Sequence, residues 1–176
     1  MRAEFVDRHA ARLLEEHPYV GAHIRDVADL LEQATLQRVE GGQALCREGE
    51  AARSVFVLLV GRVWVLQHGA GGGAARTLAL FSRPRVFGHL AALDGGVREA
   101  TCLADGPVLV ARLPAWRAVA MLPAAEGAGR ALRRLLLHAL TDELGHAHAT
   151  LRAVAKVPTD EPRFFLPAPS AARTGA

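Results

Sequence analysis

The hydrophobic period of this chain changes twice, and those two changes bound what it can fold into. Before about residue 33, apolar residues recur every three or four positions: Phe5, Val6, Ala10, Leu13 and Leu14, then Ile24, Val27, Ala28, Leu30 and Leu31. That spacing predicts two short amphipathic helices, over about 3–17 and 23–33, the first ended by Pro18. From Ala34 to Leu113 the apolar runs are short, rich in β-branched residues and cut by glycines, which predicts strands. At Pro114, a residue favoured at the start of a helix, the helical period returns over about 115–122 and, after Pro123, over about 124–156. The expected class is α+β, mainly β: an antiparallel roll of about eight strands over 34–113, flanked by N-terminal helices and a long C-terminal helix.

Within the strand region the turns are written in glycine and proline. Ala34–Glu40 and Ala44–Arg47 flank Gly41-Gly42. The run S-V-F-V-L-L-V-G-R-V-W-V-L-Q, Ser54 to Gln67, reads as a hairpin turning at Gly61-Arg62. Arg76–Phe81 is the next strand. Arg98–Leu103 and Val108–Leu113 are expected to pair about Asp105-Gly106-Pro107 and close the barrel.

At 176 residues and 51% hydrophobic, the chain suits one domain with one core. The apolar run Val55–Val60 is far too short to cross a bilayer, and no membrane association is expected. The N-terminus mixes acidic and basic residues and lacks the apolar stretch of a secretory signal, so a cytoplasmic location is expected. A net charge of +3 is spread over dispersed arginines, with only Arg133-Arg134 adjacent, which is a weak case for nucleic acid. The two cysteines, Cys46 and Cys102, are far apart and lack a second ligand nearby, so they read as buried strand residues rather than a disulfide or zinc site.

The most informative stretch is Phe87 to Thr101, F-G-H-L-A-A-L-D-G-G-V-R-E-A-T. A glycine at the mouth of a short helix lets backbone N–H groups approach an anion, and an arginine offers a planar, permanently charged fork to phosphate oxygens. Gly88 and Arg98 suit those parts; read alone, they would be turn punctuation and a solvated strand residue. The stretch resembles the phosphate-binding cassette of the cyclic-nucleotide-binding domain, approximately F-G-E-L-A-L-L-x-x-x-P-R-S-A-T. Phe87, Gly88, Leu90, Ala91, Leu93, Arg98, Ala100 and Thr101 agree with it; His89, Ala92, Val97 and Glu99 depart. Val39–Glu50, V-E-G-G-Q-A-L-C-R-E-G-E, resembles the same family's opening strands, and a glycine is usual at the Gly61 turn. The resemblance covers about 18–154, to the effector domain of catabolite activator protein-like members. Too few residues follow the long helix for the winged helix-turn-helix of such relatives, so no direct DNA binding is expected.

That resemblance implies cAMP or cGMP as candidate ligands and Phe87, Gly88, His89, Leu90, Ala91, Arg98, Glu99 and Ala100 as ligand-binding residues. In binding members the cassette glutamate accepts a hydrogen bond from the ribose 2′-hydroxyl and the arginine pairs with the cyclic phosphate. His89 stands in the glutamate's place, where a neutral imidazole offers one acceptor nitrogen. Glu99 replaces a small residue. A carboxylate about 5 Å from a phosphate, at an effective dielectric near 20, costs on the order of 3 kcal/mol. Glu99 could instead turn outward, or neutralise Arg98 and fill the site. Two functions therefore stand side by side: a regulatory ligand sensor with an altered cassette, and a ligand-independent scaffold that engages an unidentified protein partner.

Leu137, Leu140, Leu144, Ala147, Leu151 and Val154 fall at alternating three and four spacing along the long helix. They form a seam suited equally to homodimerisation or to packing on the helix's own barrel. His138, Asp142 and His146 share one helix face, and Glu143-x-x-His146 has metal-motif spacing, but no second E-x-x-H accompanies it, so a solvated face is expected. The loop H-G-A-G-G-G-A-A, His68 to Ala75, lacks the Lys-Ser/Thr of a phosphate-binding loop. Ser54, Ser82 and Ser170 lie in no nucleophile context, and no enzyme is expected. Residues 1–17 are taken as an N-terminal helix, 18–156 as the domain, and the proline-rich 157–176, with Phe164, Phe165 and Leu166, as a disordered tail.

Overall fold

β3, Ser54–Val60, is apolar from Val55 onward and buried as far as Leu59 because both of its faces are covered. Val55, Val57 and Leu59 belong to one buried cluster, shared with Leu13, Leu30, Leu31 and Leu132 of the helices. Phe56 and Leu58, pointing the other way, belong to a second cluster with Val63, Phe87 and Cys102. Alternation on a pleated strand thus places β3 in the middle of three layers: helices, its own sheet and a second sheet.

The computed structural model describes residues 2–68 and 74–155. In chain order these are α1 (Arg2–Glu16), a single 3-10 turn (Pro18–Val20), α2 (Ile24–Glu32), β1 (Thr35–Val39), β2 (Ala44–Cys46), β3, β4 (Val63–Gln67), β5 (Arg76–Phe81) and β6 (Arg85–Phe87), followed by α3 (His89–Asp94), β7 (Thr101–Ala104), β8 (Val108–Pro114), α4 (Ala115–Met121) and α5 (Gly127–Ala155). Two four-stranded antiparallel sheets run β1-β8-β3-β6 and β2-β7-β4-β5. The mainly β roll between N-terminal helices and a long C-terminal helix is the expected fold.

Two local pairings expected from the turns are corrected. β3 and β4 do not pair: β3 lies between β8 and β6, and β4 between β7 and β5. Gly61-Arg62 is the corner at which the chain leaves one sheet for the other. β7 and β8 are separated in the same way about Asp105-Gly106-Pro107. The two corners abut: Gly61 has φ 96°, and a Cβ there would lie 2.6 Å from the Pro107 carbonyl oxygen. Arg62 and Asp105 bridge them at 2.9 Å.

Residues Met1–Glu143 form one compact unit and Leu144–Ala176 a second. In the first, Asp26 of α2 is buried and accepts from Arg130 Nε of α5 at 2.8 Å, while Arg134 donates to the Val20 carbonyl at 3.1 Å, so the N-terminal helices are tied to the start of α5. In the second, the described residues continue α5 as an exposed helix. Part of the glycine-rich loop and the whole 157–176 tail, with Phe164, Phe165 and Leu166, lie outside the described residues.

Candidate functional site

β6 delivers the chain to Gly88, which caps α3 in the left-handed region at φ 64°. A side chain is excluded there twice over, by that φ and because a Cβ would lie 2.7 Å from Arg98 Nη1. α3 ends at Gly95, and residues 96–98 return along the 49–52 segment: Arg98 N donates to the Glu50 carbonyl at 2.8 Å and Gly49 N to the Arg98 carbonyl at 2.9 Å. The cassette is therefore a closed loop laid over the ends of β2 and β3.

This loop brings Phe87, Gly88, His89, Leu90, Ala91, Arg98, Glu99 and Ala100 to the wall of one cavity of about 200 Å³. The rest of the wall comes from the second sheet, including Cys46, Val65, Leu78 and Cys102, and from Glu143 of α5. Val97 is exposed and does not line it.

Arg98 is only 5% exposed. Nη1 donates to the Gly88 carbonyl and Nη2 to the Ser54 carbonyl, both at 2.5 Å, and the guanidinium carbon sits 5.3 Å from the Phe56 ring centroid. The arginine is pinned into the framework by two carbonyls and a ring rather than by Glu99. A second cavity of about 330 Å³ lies against Arg98 as well, with Arg53, Arg112 and Glu50 in its wall. Ser54 has its carbonyl engaged with Arg98 and its hydroxyl oxygen accepting from Arg112 Nε at 2.8 Å.

His89 is 1% exposed, and neither ring nitrogen has a hydrogen-bond partner. Burial, and then the positive charge of Arg85, pull its pKa down to about 4. It is therefore neutral at pH 7, and the 3.8 Å approach of Nε2 to Glu143 Oε2 is a contact with a carboxylate rather than an ion pair. Glu143 itself is shifted up by burial, against Arg85 and with the help of Asp142 and Glu99. Arg85 lies 4.3 Å above the Phe81 ring, and burial lowers its pKa. The Glu99 side chain is exposed at the cavity rim, and its backbone carbonyl accepts from Gln67 Nε2 at 3.4 Å.

Glu143 and Arg85 were not singled out as site residues from sequence. Glu143 entered the sequence reading only through its spacing from His146, on a helix face expected to be solvated, whereas it lines the cavity; Arg85 precedes the cassette as an ordinary strand residue. Of the expected helix face, His138 and Asp142 approach to 3.3 Å, and His138 packs against His17 with ring centroids 4.6 Å apart. His17 Nε2 donates to the Pro84 carbonyl at 2.6 Å, which fixes its tautomer. His146 is exposed and belongs to the second unit.

Comparison with known proteins places this geometry. Residues 36–122 match the family model described as the cyclic nucleotide-binding domain. The cGMP-dependent protein kinase egl-4 of Caenorhabditis briggsae is 32% identical over 84 residues, 48% of this chain and 11% of the kinase, so the chain spans about a tenth of that relative's length. A cyclic nucleotide-binding domain from Methylobacillus flagellatus superposes with a TM-score of 0.70 at 21% identity, covering 88% of this chain and 87% of the other. The catabolite activator protein of Thermus thermophilus gives 0.66 at 21% identity, covering 77% of this chain and 61% of the other. The two-sheet roll and its long helix are common to these folds, and together with the family match over residues 36–122 they support a cyclic nucleotide-binding domain of the catabolite activator protein-like kind.

Proposed function

We propose that this domain is a non-catalytic regulatory sensor whose altered cassette takes a cyclic nucleotide, cAMP or cGMP, weakly. The observation that carries the reading is His89. A fully buried imidazole with two unbonded nitrogens in a cavity wall is an unsatisfied polar group, and a ligand hydroxyl would satisfy it. A ribose hydroxyl donating to one ring nitrogen stands in for the glutamate contact of the family. The phosphate then faces Arg98, whose unused N–H groups remain after its bonds to Gly88 and Ser54.

Weak binding follows from charge. Glu99 at the rim and Glu143 in the wall are two carboxylates where a nucleotide brings a third negative group. The kinase relative is named for cGMP, which makes cGMP the first ligand to test. Titration calorimetry of the full chain with cGMP and with cAMP should give saturable heat for at least one of them. No heat with either at millimolar concentration would leave the scaffold reading in its place.

A second observation favours self-association. Leu137 and Leu140 of the first unit are exposed, and so, within the second, are Leu144, Ala147, Leu151 and Val154. These are the seam residues, and a homodimer through α5 would cover them. Sedimentation equilibrium of the chain and of a Leu140→Glu/Leu144→Glu variant tests this: a dimer that the two charges convert to monomer supports it, and a wild-type monomer ends it. Under the scaffold reading, the same seam would engage an unidentified protein partner.

A further inference from the structure

Two residues that sequence separation keeps apart stand face to face in the cavity wall. Cys46 of β2 and Cys102 of β7 are direct partners in the antiparallel register. Directly opposed antiparallel residues have Cα atoms roughly 4.5–5.5 Å apart, inside the roughly 4.4–6.8 Å that a disulfide spans. The two thiols are close enough that each is the largest influence on the other's ionisation.

The surroundings hold this register and leave it a little give. Glu48 N donates to Thr101 Oγ1 at 3.1 Å, Gly49 N to the Arg98 carbonyl at 2.9 Å and Arg98 N to the Glu50 carbonyl at 2.8 Å, so the residues after Cys46 are clamped to those before Cys102. β2 is three residues long, lies at the edge of its sheet and carries a register shift between Ala44 and Cys46, so it can shift without disturbing a second neighbour.

We infer that Cys46 and Cys102 are a redox-active pair that closes reversibly to an intramolecular disulfide inside the cassette cavity. Both thiols are buried, yet both line that cavity, and a small hydroperoxide can reach them through its mouth. Cys46 is the attacking group: the neighbouring Cys102 thiol outweighs burial and, with the charge of Arg98, draws its pKa down to about 7. The Cys46 thiolate attacks the peroxide oxygen, giving a sulfenic acid and, after protonation, water from the leaving oxygen. The Cys102 sulfur then attacks the sulfenic sulfur, forming the S–S bond and expelling a second water. Two thiols and one hydrogen peroxide become one disulfide and two waters. A dithiol such as dithiothreitol reverses the change.

The pair does not depend on what the cavity binds, so its test stands apart from that of the sensor reading. The full chain, with two cysteines in its sequence, is treated with equimolar hydrogen peroxide and mapped by mass spectrometry without reduction. The expected result is loss of both free thiols, an intact mass lower by two hydrogens, a peptide pair joining Cys46 to Cys102, and recovery of both thiols with dithiothreitol. Closing so long a loop should also raise the melting temperature by several degrees. Thiols that stay free, a disulfide-linked dimer of chains, or sulfinic acid on either cysteine would overturn the inference. Cys102→Ser adds an independent arm: dimedone should then trap a sulfenic acid on Cys46, and Cys46→Ser should react at least about tenfold more slowly. The mapping of the unaltered chain needs neither variant to fold.

Discussion

Arg98 Nη1 donates to the Gly88 carbonyl oxygen at 2.5 Å, so the arginine near the end of the cassette is bonded to the glycine at its start. The same guanidinium reaches Ser54 of β3 and lies over Phe56. A group expected to serve a ligand therefore also holds the shape of the loop that would bind it. Residues 88–98 keep their cavity because one side chain spans them.

Replacing that side chain should consequently cost stability as well as affinity. Arg98→Ala leaves the Gly88 and Ser54 carbonyls unbonded in a buried setting and removes the ring contact. We expect a loss of about 2–4 kcal/mol, with Arg98→Lys, which keeps the charge and part of the bonding, losing roughly half of that. Urea denaturation at constant m-value checks it. An Arg98→Ala protein as stable as the parent would show that the arginine braces nothing.

Affinity should respond most to the carboxylates. From sequence, Glu99 stood to cost about 3 kcal/mol. Its exposure at the rim lets solvent screen the charge, which reduces the penalty to about 1 kcal/mol, roughly fivefold in affinity. Glu143 is half-buried and touches His89, so its charge is screened less. Glu143→Gln should therefore tighten cyclic-nucleotide binding more than Glu99→Ser, and the double change more than either. His89→Glu, which restores the family residue, would set a second buried carboxylate beside Glu143 and should destabilise the fold unless Glu143→Gln accompanies it. Calorimetry across these variants gives the order; equal affinity in all of them would remove charge as the reason for weak binding.

Stability should fall on the acid side of neutrality. The folded pKa of His89 is about 4 against 6.5 in the unfolded chain, so between those values the unfolded state binds a proton that the folded state refuses. Stability then rises with pH across that window and is lost as pH falls through it, by up to about 3 kcal/mol from this group. His9 and His17, also shifted down by burial, add in the same direction. Glu143, shifted up, works against them, gaining a proton on folding. Thermal melts from pH 7 to pH 4 should show the decline, and His89→Asn should flatten it. A slope unchanged in that variant would place the titration elsewhere.

The fold was legible wherever its signal was a period or a composition. Helical spacing in Ile24–Leu31, the unbroken apolar run of β3 and the return of helix at Pro114 each report what one segment does alone. The grouping of the cassette residues about one cavity was legible too, because a tight loop keeps its parts close in sequence. What could not be read was any relation set by which sheet a strand joins or where a helix comes to lie. The approach of Cys46 to Cys102 comes from the pairing of β2 with β7, the separation of β3 from β4 from the division of the strands between two sheets, and the reach of Glu143 to His89 from the place of α5 beside the cavity.

The Gly61 corner turns that last difference into a measurement. Were Gly61-Arg62 the tip of a hairpin, its glycine would face solvent, and Gly61→Ala would cost only the positive φ, about 1 kcal/mol. In the crossing observed, the same methyl meets the Pro107 carbonyl oxygen at 2.6 Å and Val108 Cα at 2.9 Å, which are backbone atoms of the neighbouring corner and cannot swing aside. The cost should then exceed about 2 kcal/mol, because the two corners must part and the Arg62–Asp105 bridge must stretch. Gly42 supplies the control, with φ 81° and nothing within 4 Å of an added Cβ, so Gly42→Ala should show the conformational term alone. Unfolding free energies from denaturant titrations of the two variants should differ by at least about 1 kcal/mol, Gly61→Ala being the less stable. Equal losses would mean that the two corners do not abut and that the strand order about them needs revision.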